Sequence, residues 1–410
     1  MVETASIGGS GNAAVQRATE ALKDGKHVVF TGSGVSPSEE VELKKMATER
    51  ELLFLGPGCS TSILDGEGFG IWNSVSRGAI GIIGTFGSGI QQVSCLLDDV
   101  GVSHVLDVGF RDLSQSVNAV GTNSALKFLK YDEKTEVIVL LARSPVTSVR
   151  HLVLRELEKT KKPTVVCLLD EKSDISGKDR VQARSFRDAA DHALAIMKKG
   201  KSHQTTSAQD IENIKRLAKN EYERFSYSQK YVRGLYSGGA LCTEALTRMS
   251  KFLAAVHSNL PLKPRLRMPD PHSSRGNTCI DLGTEKLSGG INPIVNLVPK
   301  CARLKKEAKN WNTAVVLLDI ILGHGAHPNP AAELIKAIKE GRNATERAGG
   351  YLSVTASIIG TPRDPQNQAW QRQQLEKAGV LVSQSNAQAA EIASLIATKG
   401  KAWKKLAKGL

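Results

Sequence analysis

Residues 314–334 read AVVLLDIILGHGAHPNPAAEL, and this stretch decides the fold class. Val315–Leu322 is apolar throughout except for Asp319. It lacks the alternation of a half-exposed strand, so it predicts a parallel strand buried on both faces. The loop Gly323-His324-Gly325-Ala326-His327 follows, and its glycines let bare backbone approach a ligand. Pro328 and Pro330, with Asn329 as N-cap, set a helix start. The free N–H groups and dipole of such a start favour an anion. An ordinary strand-to-helix turn has the same look, so the weight of the reading lies in its repetition along the chain.

The same grammar runs outward in both directions. Before it lie the strand YVRGLYS, the turn SGGA (237–240), a helix over LCTEALTRMSKFLAAV, the strand NTCIDLG (277–283) and a helix over Leu297–Lys309. After it come YLSVTASIIG (351–360), a helix over Gln366–Ala378, VLVSQ (380–384) and a last helix. The first half repeats the alternation: strand AIGIIG (79–84), loop TFGSG and a helix, strand SHVLDVG (103–109), a helix over SALKFLKYDEK, strand TEVIVLLA (135–142), turn RSPVTS and a helix, and strand PTVVCLL (163–169). Strands alternating with helices through short Gly- or Pro-marked turns predict an α/β protein with two flavodoxin-like, doubly wound parallel-sheet domains. Residues 170–230 are polar and charged, with short helical patterns and no strand signal. They close a first domain at 52–200 and supply a helical connector at 201–230, ahead of a second domain at 231–410. Residues 1–51 read as two helices around a single strand, HVVFTG, which cannot bury a core and must dock on something.

The chain has 410 residues, a net charge of +14 and only 5% aromatic residues. No zinc pattern or aromatic-rich basic stripe accompanies that charge, so the expected partners are small anions rather than nucleic acid. No apolar run reaches membrane-spanning length, and no signal sequence opens the chain. The six cysteines show no C-x-x-C spacing; Cys95, Cys167 and Cys279 read as core thiols, a cytoplasmic pattern. The basic tail KGKAWKKLAKGL reads as a solvated last helix turn that could also touch a membrane or a partner.

Four loops recur at strand-to-helix junctions: GTFGSG (84–89), RSPVTS (143–148), SGG (237–239) and GHGAHPN (323–329). Their candidate phosphate ligands are Thr85, Gly87, Ser88, Gly89, Ser144, Ser237, Gly238, Gly239, Gly325 and Asn329. Facing domains would let their helix dipoles converge on one phosphate in a cleft. His327, and then His324, are the catalytic candidates, as phosphoryl acceptor, general acid or anion ligand. A loop histidine bonded to backbone would satisfy the same pattern. Arg111, in VGFRDLS, either pairs with Asp112 or clamps a substrate carboxylate. Asp319 reads as the satisfier of a neighbouring backbone group or Arg. The two histidines lack further ligands, so no metal site is expected. GTFGSG is not followed by G-K-[ST] and is not a Walker A loop.

Several stretches resemble FdrA-type proteins, acyl-CoA synthetase-like relatives of succinyl-CoA synthetase. They are GPGCSTSI (56–63), RGAIGIIGTFGSGIQQV (77–93), VGFRDLS (108–114), LYSGGALCTEA (235–245), LLDIILGHGAHPNPAAEL (317–334) and GTPRDPQNQAWQRQQLEKAGVLVSQSNAQAA (360–390). The similarity runs over about residues 28–397. It implies that the first domain is like the ligase domain of the synthetase α subunit and the second like the carboxy-terminal domain of the β subunit. In that family helix starts from both domains embrace a phosphohistidine carried by a Gly-His-Ala-Gly loop. Here the corresponding strand PTVVCLL runs instead into Asp170-Glu171-Lys172. The ATP-grasp domain has no counterpart, and the CoA-binding domain is reduced to its last strand and helix, about 27–50. CoA or nucleotide would therefore be cofactors only if a partner subunit supplied those domains; otherwise none is assigned.

Three functions follow. The first is a transferase subunit holding an acyl or carbamoyl phosphate, as in the oxamate carbamoyltransferase reaction linked to FdrA-type proteins in allantoin degradation. The second is an NDP-forming acyl-CoA synthetase subunit completed by a partner. The third is a non-catalytic scaffold or sensor. Partner subunits or a homo-oligomer fit each of them.

Overall fold

A computed structural model describes residues 2–199 and 208–406. The chain divides into two compact units, Met1–Ser202 and His203–Leu410. The last residue of the expected first domain (200), the start of the expected connector (201–207) and the end of the basic tail (407–410) lie outside the described residues.

The first unit opens with β1 (Thr4–Ile7), α1 (Gly11–Lys23), β2 (His27–Phe30), α2 (Pro37–Glu49) and β3 (Phe54–Leu55). These strands form a parallel sheet in the order β1-β2-β3, not the single strand expected of residues 1–51. Ile7, Leu22, Phe30, Leu43 and Phe54 build its own core. TASI is short and half polar and β3 holds two residues, so neither reaches the length at which strand periodicity becomes visible.

Next come β4 (Thr61–Leu64), β5 (Glu67–Gly70), β6 (Arg77–Gly84), α3 (Gly87–Leu96), β7 (Val102–Asp107), α4 (Val120–Tyr131), β8 (Val137–Arg143), α5 (Thr147–Lys159), β9 (Thr164–Leu169), β10 (Arg180–Ala183) and α6 (Phe186–Met197). The sheet order is β10-β9-β8-β6-β7-β4-β5. Counted from β6, its parallel part is the flavodoxin order 2-1-3-4-5. The antiparallel β4–β5 hairpin extends one edge around Asp65-Gly66, both at positive φ (51° and 80°) as a tight hairpin turn requires. The polar stretch after β9 also differs from the expectation. β10 pairs in parallel with β9, and α6 packs on the sheet with Phe186, Ala189, Ala190 and Ala193 buried.

The second unit holds α7 (Ala208–Tyr222), β11 (Tyr231–Tyr236), α8 (Gly239–Met249), β12 (Val256–His257), β13 (Asn277–Asp281), α9 (Glu285–Ser288), α10 (Val298–Ala308), β14 (Thr313–Ile321), α11 (Pro330–Arg347), β15 (Ser353–Ile359), α12 (Gln368–Lys377), β16 (Leu381–Ser383), α13 (Asn386–Ala397) and α14 (Trp403–Leu406). Its all-parallel sheet runs β12-β13-β11-β14-β15-β16, again 2-1-3-4-5 with one added edge strand. All nine residues of β14 are buried, as its apolar run requires. The helix expected over 241–256 stops at Met249, and Val256 and His257 become the edge strand β12. Leu235, Ile280, Val316, Leu318, Leu334 and Val354 share one core. No helix among the described residues is long and apolar enough to cross a membrane. Cys167 and Cys279 are buried, whereas Cys95 is only half-buried.

Candidate functional site

Each unit builds one strand-to-helix turn to the same pattern. In the first, Gly84 at the end of β6 pairs with Asp107 of β7. In the second, Tyr236 at the end of β11 pairs with Asp281 of β13. Thr85-Phe86-Gly87 and Ser237-Gly238-Gly239 are therefore equivalent, and α3 and α8 both begin on a glycine. The ladder of α3 starts with the Ile90 N–H on the Phe86 carbonyl, and no side chain caps the N–H groups of Gly87, Ser88 and Gly89 before it. In α8 the Cys242 N–H on Gly238 plays the same part, again without a side-chain cap. Uncapped N–H groups at a helix start are the physical basis of anion binding. Gly87 packs tightly there: a Cβ would fall 1.7 Å from Ser60 Oγ, so that hydroxyl would have to turn away.

Thr85 and Ser88 are buried in this turn, and the Thr85 N–H bonds to the Leu141 carbonyl of β8. Its counterpart Ser237 departs from that arrangement. The Ser237 N–H donates to the Asp319 carboxylate (2.9 and 3.0 Å), and its hydroxyl donates to Asp319 Oδ1 while accepting from Lys300 Nζ at 2.6 Å. Lys300 Nζ also donates to Asp319 Oδ1 (2.6 Å) and to the Asp319 carbonyl (2.8 Å). Ser237 is thus tied inward rather than free to cradle phosphate, because a fully buried Lys300–Asp319 ion pair needs its donors and acceptors.

Two more expected ligands are tied down. Arg111 donates to Glu40 Oε2 and to the Val35 carbonyl, because Glu40 is fully buried and needs positive partners. It neither pairs with Asp112 nor stands free as a carboxylate clamp. Asp112 instead takes Lys44 (2.8 Å) and the N–H groups of Gly121 and Thr122. Ser144 donates its hydroxyl to Glu171, which also pairs with Arg150. Burial works to raise the Glu171 pKa, but the hydrogen bonds from Ser144, Ser173 and Arg150 outweigh it and hold it at about 2. The α5 start itself is exposed.

The GHGAHPN loop is held from inside its own unit. Gln366 accepts the Gly323 N–H and donates to the Gly323 and His327 carbonyls. Asn329 caps the Ala332 N–H, and Gln371 accepts the Ala331 N–H at 2.9 Å. Because Pro330 has no N–H, the start of α11 is largely satisfied by side chains rather than open to an anion. The His327 N–H bonds to the Ile294 carbonyl, and its Nδ1 accepts the Asn329 N–H at 3.1 Å, which leaves the neutral ring's proton on Nε2 as a hydrogen-bond donor. His324 and His327 are half-buried, while Gly325 is exposed at φ 76°.

With the geometry in place, the chain can be compared with known proteins. It is 32% identical over 391 residues to the uncharacterized protein YahF of Escherichia coli K12, covering 94% of this chain and 75% of YahF. Residues 235–396 match the CoA-ligase family. The chain belongs to the YahF family and carries a CoA-ligase domain. Two solved structures show a slight likeness at 14% identity: the dinucleotide-forming acetyl-coenzyme A synthetase 1 of Ca. Korarchaeum cryptofilum in complex with phosphate and ADP (TM-score 0.32, 100% of this chain and 85% of that one), and PH0766 of Pyrococcus horikoshii OT3 (TM-score 0.31, 97% and 85%).

The CoA-ligase domain therefore begins just before the Ser237-Gly238-Gly239 turn and contains Asp281, Lys300, Asp319 and the whole histidine loop. Sequence reasoning overlooked Asp107 and Asp281, whose pKa values burial lifts to about 6. The signal was present: L-D-V-G (106–109) and I-D-L-G (280–283) end equivalent strands, and each aspartate accepts the N–H of the glycine two residues on. The buried amine of Lys300 and the clamps Gln366 and Gln371 carried no such signal.

Proposed function

We propose that this chain is an acyl-CoA ligase-type subunit of the NDP-forming kind, in which each unit offers an uncapped helix start to a phosphate group, α3 in the first and α8 in the second, with acyl phosphate bound at α8. The observation that carries the reading is the pair of glycine-initiated helix starts at equivalent register positions, one of them inside a CoA-ligase domain. Gly87, Ser88 and Gly89, and Gly238 and Gly239, supply backbone N–H groups, with the hydroxyls of Thr85 and Ser88 nearby. Each dipole adds roughly 0.3–1 kcal/mol, and up to about 2 kcal/mol where partly buried. His327 acts through its Nε2–H, donating a hydrogen bond that stabilises charge on the departing phosphate, with His324 as the second candidate. The test is calorimetric titration of the full chain with acetyl phosphate, followed by assay of thioester formation on adding CoA. Saturable binding and thioester support the reading, and His327→Ala should then lower turnover by about 100-fold or more. Absence of binding contradicts it.

A second reading, carbamoyl transfer to oxamate, is favoured by one observation. After β9 stands Glu171, fixed by Arg150 and Ser144, where the family resemblance would place a phosphohistidine. The same start of α8 would hold carbamoyl phosphate. Oxalurate formed from carbamoyl phosphate and oxamate, with no thioester from acetyl phosphate and CoA, selects this reading over the first.

A further inference from the structure

The two equivalent aspartates differ in one respect. Both oxygens of Asp107 are engaged, Oδ1 by the Gly109 N–H and Oδ2 by the Ser60 N–H, each at 3.1 Å. Asp281 is slightly less enclosed, with 7% exposure against 2%, and its Oδ1 accepts the Gly283 N–H at 2.8 Å. Its Oδ2 has no hydrogen-bond partner among the described residues. That oxygen lies 3.4 Å from the point a Cβ on Gly239 would occupy, so it flanks the first residue of α8, where the N–H groups are uncapped. That oxygen is not fully enclosed: it reaches solvent beside the helix start, where a bound ligand can replace water as its partner. Next to uncapped N–H groups, an ionised carboxylate would repel an anion, whereas a carboxylic acid would donate a hydrogen bond to it.

We propose that Asp281, in its protonated form, donates a hydrogen bond from Oδ2 to an anion seated on the start of α8, and that binding at this site is therefore proton-dependent. The inference rests on reading that helix start as an anion site. The surroundings favour the acid. Burial is the main cause lifting its pKa to about 6; the Gly283 N–H opposes this, Asp319 adds to it and Lys300 opposes it. Asp319 faces it from β14, Lys300 from α10 and the Cys242 thiol from α8, while Asn259 binds its backbone on both sides. Above about pH 6 the carboxylate weakens the site; below it, the acid completes it.

Sulfate is the suitable probe, because it remains a dianion throughout the range in which Asp281 titrates. Calorimetric titration of the full chain should show sulfate bound roughly tenfold more tightly at about pH 5 than at about pH 8. Asp281→Asn carries a permanent donor and should bind tightly at both values. Asp281→Ala should bind weakly at both, which keeps the test decisive if one variant misfolds. A wild-type slope retained in either variant, or no slope in the wild type, overturns the role of Asp281. Absence of sulfate binding in all three proteins at every pH overturns the anion-site reading itself.

Discussion

Ser237 sits in the turn where the sequence predicts a phosphate ligand, yet its hydrogen bonds all run to Lys300 and Asp319. What confines it is Lys300, a cation on α10 sixty-three positions along the chain, whose side chain is completely buried. A one-sided deletion there leaves Asp319 as an unpaired buried charge. Lys300→Ala should therefore lower the unfolding free energy by about 3–5 kcal/mol. Urea denaturation checks this, and a loss under about 1 kcal/mol would show that the pair is solvated. Arg111→Ala should leave acetyl phosphate affinity within about twofold of wild type, since its guanidinium serves Glu40 and Val35 rather than a substrate. A much larger affinity loss in the same titration would restore Arg111 as a carboxylate or phosphate clamp. Residue types in loops were legible in the sequence; which of their donors were already taken was not, because the takers Lys300, Glu40 and Gln366 are distant in sequence.

At the scale of elements, α3 and α8 follow equivalent strands, α11 follows β14, the counterpart of β8, and the three starts end in different states. Those of α3 and α8 are uncapped, whereas α11 is capped by Asn329 and braced by Gln371. Asn329→Ala should cost about 1 kcal/mol of stability and leave acetyl phosphate affinity unchanged, as measured by denaturation and calorimetry. An affinity loss without a stability loss would instead place the anion on α11. The sequence signals of the start, Pro-Asn-Pro after an apolar strand, were read correctly as a helix boundary. They could not distinguish a start closed by its own side chains from an open one, since Gln371 approaches from α12. The β4–β5 hairpin was missed although Asp65-Gly66 is a strong two-residue turn signal, because the flanking strands are only four residues each. The polar segment carrying β10 and α6 was read as a connector for a related reason: β10 is a short edge strand and keeps a largely half-exposed face.

Across the whole molecule, the doubly wound order of both sheets followed from strand–helix alternation, because long apolar strands such as β14 announce their burial on two faces. The small amino-terminal sheet did not, because its strands are too short. The buried carboxyls make stability depend on pH in opposite senses. Asp107 and Asp281 hold their protons up to about 6 in the folded chain against an ordinary value of 3.8. Each therefore contributes stability that is present below about pH 4 and lost as pH rises through about 6, roughly 3 kcal/mol apiece. Glu171, held at about 2, contributes in the other sense, losing its stabilisation as pH falls from about 4.5 toward 2. Asp281→Asn removes one of the two burial penalties, so its stability relative to wild type should rise between about pH 4 and about pH 7. Chemical denaturation at the two values checks the sign, and a flat difference would contradict the raised pKa. The most direct test of the central claim is a crystal structure of the full chain grown with inorganic phosphate. The account predicts phosphate density on the N–H groups that begin α3 and α8; density confined to the start of α11, or none at any of these helix starts, would contradict it.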